Sequence, residues 1–218
     1  MYRHQLYWCL IVILSFLSQL AMAQDKVDFY KPVDAPERSA NSVVFSRFVA
    51  GERIKEVPQQ SPIEEYVWHK KGSYELGYTD TFSIKGLLIS KRRYLGDERA
   101  GIAPLDMVLG WQKMSDPAIL KEIAVRQNNR FYYWNVNQFP LPRQELELMS
   151  TNVHLIPDSP AVMSQLMQME RGQAVALDGY LVDVKAEDGF IWATSRVRND
   201  TGDGACEIML VKQVRVLE

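Results

Sequence analysis

The chain has 218 residues, a formal net charge of −2 and two cysteines, with 47% hydrophobic residues. This balance supports a folded core and excludes a disulfide framework or a long charged tail. It also gives no global electrostatic drive toward nucleic acid or anionic membrane.

The first residues read as a targeting segment. Arg3 supplies the positive region, residues 6–20 are mostly apolar, and Ala21-Met22-Ala23 is a small-x-small cleavage site. Residues 1–23 are therefore expected to be a signal peptide, cleaved before Gln24, and the mature chain a periplasmic or secreted protein. The alternative is an uncleaved inner-membrane anchor. The apolar run is broken by Ser15, Ser18 and Gln19 and falls short of the roughly 20 apolar residues of a span. After cleavage no membrane span is expected, and the one remaining cysteine, Cys206, has no intramolecular partner, so the fold must rest on its core.

Residues 24–72 are broken by Pro32, Pro36, Pro58 and Pro62 and read as an extended arm that partly docks. The β-rich globular domain is expected over 73–218. Residues 81–94 carry a strong strand pattern with Phe82 and Ile84 on one face and a phase shift at Gly86. Residues 105–109 read as a helical turn ended by Gly110. Asp116-Pro117 opens a short helix. Residues 123–125 and 131–136 read as strands joined by a polar turn at 127–130, and 144–149 as helical.

Asp158-Ser159-Pro160 begins another helix that Gly172 stops. The most regular β block follows. Residues 173–184 alternate, slip at Gly179 and turn at Glu187-Asp188-Gly189. Residues 190–197 form a second run, and Cys206, Ile208 and Leu210 share one face of a third, with Val214 and Val216 in phase. The stretch 84–90 echoes 177–183, each with a glycine at the same place, as two strands needing the same bend would. The expected fold is mainly β with short helices (α+β): a curved antiparallel sheet or a small OB- or SH3-like barrel.

Several short stretches are similar to a group of exported proteins of Gram-negative bacteria. They are Pro104-Leu105-Asp106 with Gly110-Trp111 and Met114-Ser115-Asp116, then 152–157, Gly179-Tyr180-Leu181-Val182 and 200–207. The resemblance covers roughly 73–216. It implies a recurring bacterial domain and brings no catalytic role with it.

No assembled catalytic motif is present. Cys206 and His154 are the candidates for a thiol–imidazole enzyme acting on cell-wall peptides. The phase of Cys206 with Ile208 and Leu210 instead points its sulfur into the core, where a thiol is inert packing. Residues 199–204 alternate oxygen ligands as a calcium loop does, but Leu210 stands where the bidentate Glu belongs. His69 and His154 lack the companions of a metal site. No metal or cofactor is therefore expected.

The aromatic run Phe131-Tyr132-Tyr133-Trp134 and Trp111 are candidate stacking surfaces. Lys91, Arg92 and Arg93 would join Arg196 and Arg198 in a basic patch if the two glycine-bent strands are neighbours. Asp200 and Asp203 complete this candidate binding surface. The leading expectation is a non-catalytic exported binding or protein-interaction module whose partner is a protein or a cell-wall component. The alternatives are the Cys206/His154 enzyme and an OB-type oligonucleotide or polyanion binder. Export and a negative net charge argue against nucleic acid.

Overall fold

A computed structural model describes residues 44–197 and 205–217. The calls on residues 1–43 and on 198–204, including Arg198, Asp200 and Asp203, lie outside the described residues. The fold is mainly β with three short helices. Its strands are β1 (Gln59–Pro62), β2 (Trp68–Lys71), β3 (Tyr74–Arg93), β4 (Leu105–Gly110), β5 (Ile123–Asn128), β6 (Phe131–Val136), β7 (Ser150–Pro157), β8 (Ala174–Ala186), β9 (Ile191–Trp192) and β10 (Glu207–Leu217). The helices are α1 (Pro117–Leu120), α2 (Arg143–Leu148) and α3 (Pro160–Gln168). No described helix is long and apolar enough to cross a membrane.

Eight strands form one mixed sheet, and β5 and β6 form a separate two-stranded one. The pairing path runs from β3 through β4, β7 and β10 to β8, and β8 pairs with β3 again, so the hydrogen-bonded circuit closes. The expectation of antiparallel pairing holds for every pair but one: β7 and β10 run parallel. A parallel pair cannot be joined by a hairpin. The chain meets that constraint by passing through α3 and β8 before it returns as β10.

The 20-residue strand β3 makes closure possible. Its first two thirds pair with β8 and its last third with β4, with register shifts at Tyr78/Asp80 and at Leu88/Ser90. A bulge at each point bends and coils the strand. Both glycines of the sequence echo sit where chains crowd. A Cβ on Gly86 would lie 2.8 Å from Leu109 Cβ, and one on Gly179 would lie 1.9 Å from the Leu210 carbonyl oxygen.

Alternation then sorts the side chains. Phe82, Ile84, Met107, Val153, Leu155, Leu177 and Met209 fill the interior of the circuit. Helix α3 adds Val162, Leu166 and Met169 to the same cluster. Ser159 caps this helix by accepting from the Val162 amide, and Gly172 leaves it at φ +89°.

The outer face is covered twice. The β5–β6 hairpin and α2 bury Leu87, Ile89 and Val108 with Ile123, Val136 and Leu146. The 94–104 loop buries Ile102 and Ala103 against Ile156, Val182, Ile208 and Leu210. This double covering explains β4, which reads as a helical turn in the sequence. All six of its residues are buried, so no polar alternation marks it as a strand.

Within the segment read as an arm, residues 44–72 lie on the body. Phe45 and Ile54 are buried, and the amides of Arg53 and Ile54 donate to Ser115 Oγ. Strands β1 and β2 both pair with β3. Trp111, a candidate stacking residue, is also core, at 3% exposure.

Because the atom facing Gly179 is a backbone carbonyl, no side-chain rotation can make room there. Gly179→Ala should cost about 2–3 kcal/mol, measured by urea unfolding. Gly96→Ala, where a Cβ meets nothing within 4 Å, should stay within about 0.5 kcal/mol of the parent. Equal stabilities for the two variants would contradict the crowding at the β8–β10 crossing.

Candidate functional site

Between the two apolar covers, the outer face of β4 and β7 is polar. Asp106 and His154 are directly opposed in the register, and the His154 Nδ1–H donates to Asp106 Oδ1 at 2.9 Å. The tip of the β5–β6 hairpin descends onto this pair. Asn128 pairs with Phe131, so Asn129 and Arg130 form a two-residue turn, with φ of +49° and +70°. Asparagine tolerates this conformation. The second position ordinarily calls for glycine, and here it carries an arginine.

The Arg130 side chain accounts for that choice. Its Nε and Nη2 donate to both oxygens of Asp97 at 2.9 and 2.6 Å. Its Nη1 donates to the Ala103 carbonyl at 2.7 Å and to Asp106 Oδ1 at 3.1 Å. The guanidinium lies 3.7 Å from the centre of the Tyr94 ring. Left-handed backbone costs a non-glycine residue about 1–2 kcal/mol. A desolvated cation–π contact returns about 2 kcal/mol, and breaking a buried ion pair costs about 3–5 kcal/mol. The side-chain contacts outweigh the strain, so the turn persists.

The surrounding loops complete a wall. Arg99, from the 94–104 loop, lies over the rings of Trp192 and Phe190 at 4.6 and 5.2 Å. Trp192 also meets the His154 ring, with centroids 4.7 Å apart. Asp97 has its acidity set by opposing effects: burial pushes the carboxyl up, but hydrogen bonds and charge from Arg130, with the Arg99 and Ala100 amides, hold it below its ordinary value. Burial, followed by the Asp106 carboxylate, pushes the Tyr94 phenol well above its ordinary value. Asp106 is fully buried.

The pairing expected of a thiol enzyme is not formed. Ile208 is the register partner of His154, so Cys206 falls opposite Asn152. Its sulfur lies 3.9 Å from Asn152 Nδ2 and 3.9 Å from the Arg130 carbonyl oxygen. The thiol is half-buried, on the covered outer face rather than inside the closed circuit. Asn152 also donates to the Arg130 carbonyl and accepts from Gln127. His69 lies against Tyr78, with ring centroids 4.4 Å apart.

The basic residues have separate tasks. Lys91 donates to the carbonyls of Leu166, Met167 and Met169, closing the end of α3, and burial lowers its affinity for a proton. Arg92 donates to the Gln127 carbonyl, while Arg93 is exposed at the end of β3. Arg196 pairs with Asp80 at 2.7 Å. Asp80 lies eleven positions before Lys91 on β3, about 35 Å of strand at the usual rise. The strands that carry Gly86 and Gly179 are neighbours, yet these basic groups anchor at different points along them.

Tyr94, Asp97, Asp106, Arg130 and Trp192 did not stand out in the sequence. One signal was available: an Asn-Arg pair in a hairpin position that favours Asn-Gly. Comparison of the chain with protein-family models, with curated proteins and with solved structures finds no match. The reading of the site therefore rests on its own geometry.

Arg130→Ala should lower stability by about 3–5 kcal/mol, because it strands the buried Asp106 and the Asp97 fork. Arg130→Gly should lose about 1 kcal/mol less, since glycine takes φ +70° without strain. Denaturant titration of both variants tests this. Equal losses would mean that the turn is unstrained, and losses below about 1 kcal/mol would mean that the ion cluster holds nothing.

Proposed function

We propose that the protein is a non-catalytic, exported binding module built on an OB-type barrel, and that it contacts another protein through the 94–104 and 187–197 loops. The observation that carries this reading is where those loops meet. Arg99 bridges them by lying on Trp192 and Phe190, and within the same two loops Leu95, Phe190 and Ile191 stay exposed, Leu95 at 80%. Large apolar side chains at loop tips over a rigid sheet are a common form of contact surface.

The topology supports the barrel. Numbered along the closed circuit, the strands follow the order 1-2-3-5-4-1, with a helix between the third and fourth. In OB-folds, the face of strands two and three and the loops after the first and fourth hold the ligand. Those are the places occupied here by β4 and β7 and by the two loops that Arg99 joins.

Two features favour a protein over a single-stranded polyanion. The ring faces of Tyr94 and Trp192 that would stack on bases are already covered by Arg130, Arg99 and His154. Lys91, Arg92 and Arg196 are each committed to groups of the chain itself. Against a thiol enzyme, the sulfur and the imidazole each face a different partner. The signal-like segment 1–23 supports the periplasm as the compartment.

Affinity capture from a periplasmic extract tests the surface. Leu95→Asp and Ile191→Asp alter exposed side chains, so stability should stay within about 0.5 kcal/mol, and the partner recovered by the parent chain should be lost. Full recovery by both variants would refute these loops as the contact. Hydrolysis of cell-wall peptides that disappears in Cys206→Ala would instead establish the enzyme reading. Salt-sensitive binding of single strands with tryptophan quenching would establish the polyanion reading.

A further inference from the structure

The groups around Arg130 make a box whose shape is specific for a guanidinium. Asp97 presents two oxygens to the Nε/Nη2 edge, the Ala103 carbonyl and Asp106 take Nη1, and the Tyr94 ring lies against the flat face. A planar cation with forked donors satisfies all four at once. A lysine ammonium, a compact point charge, satisfies neither the fork nor the stack.

Two observations mark the chain's own arginine as an imperfect occupant. Arg130 reaches the box only by holding φ at +70° in a turn position suited to glycine. It also meets Asp106 through Oδ1 alone, leaving the other oxygen of this fully buried carboxylate to the Tyr94 phenol rather than to the guanidinium. The hairpin tip is held differently from the hairpin base. The base is fixed by apolar contacts of Ile123 and Val136, whereas the tip is tied by polar contacts of Gln127 and Arg130 to Asn152 and the box. Lifting the tip therefore uncovers polar groups, and an incoming guanidinium would keep their charges paired while the turn strain is released.

We propose that this box is a recognition site for an arginine side chain of a partner polypeptide, and that Arg130 fills it in the free chain as an internal stand-in. The inference rests on the reading of the protein as a binding module and supplies the chemistry of its partner. Exchange makes the affinity of the parent chain weaker than that of the empty box, in proportion to the small fraction of chains with the tip lifted.

The test titrates the full mature chain with acetyl-Gly-Arg-Gly-amide and with its lysine counterpart, following tryptophan fluorescence and hydrogen exchange of the 127–131 amides. The arginine peptide should bind saturably and deprotect those amides, with the lysine peptide at least ~10-fold weaker. Asp97→Asn should weaken arginine binding by at least ~10-fold, and Arg130→Gly should tighten it by at least ~10-fold because nothing needs displacing. If Arg130→Gly fails to fold, the parent chain and Asp97→Asn decide between them. Absence of saturable binding to the parent chain, or equal binding of the two peptides, would overturn the proposal. If that happens while Leu95→Asp and Ile191→Asp still abolish partner capture, the exchange is refuted and the binding-module reading stands.

Discussion

One guanidinium ties the β5–β6 hairpin to parts of the chain with which it shares no strand pairing. Arg130 sits at the tip of a hairpin that belongs to its own two-stranded sheet. Its contacts reach Asp97 and Ala103 in the first long loop, Asp106 on β4 and Tyr94 just past β3. Without them the polar tip would lie against a polar face with no charge balance, and Asp106 would be a buried carboxylate held by one imidazole and one phenol. Desolvating such a group without a cation is costly, so the hairpin, the loop and the strand pair depend on the same contact.

This constraint explains an asymmetry of the outer face. Beneath the two covers the face is apolar, as under Ile102 and under Ile123. Between the covers it carries Asp106, Asn152 and His154, each with a hydrogen-bond partner. The closed circuit beneath is filled by apolar side chains and stopped by α3, whose last carbonyls are held by Lys91. The inside of the circuit is thus apolar, and the polar stripe lies on its outer face between the two covers. Three connecting segments, 94–104, 129–130 and 187–197, converge on it.

Local chemistry and the curved, mainly β class were legible in the sequence, and the pairing of particular distant segments was not. The caps at Asp116 and Ser159 and the turn at Gly189 follow from single residues and their neighbours; Gly86 and Gly179 sit where neighbouring strands crowd, while the register shifts of β3 fall at Tyr78/Asp80 and Leu88/Ser90. Strand β4 was hidden because burial on both faces erases the alternation that identifies a strand. Strands β1 and β2 were hidden because they are short and mostly exposed edges, where the pattern of a buried face is absent. The site was hidden for another reason: its members span positions 94 to 192 and become neighbours through the β4–β7 pairing, the docked hairpin tip and the parallel return of β10 beside β7. Cys206 and His154, the conspicuous pair in the sequence, are set apart by that same register.

The central claim is that the Arg130–Asp106 contact is energetically coupled, not merely adjacent. A double-mutant cycle with Arg130→Met, Asp106→Asn and the combined variant measures this in urea unfolding. The account predicts a coupling of about 1.5–3 kcal/mol, in the upper range for groups sharing one network. A coupling below about 0.5 kcal/mol, the additivity expected of independent sites, would contradict it.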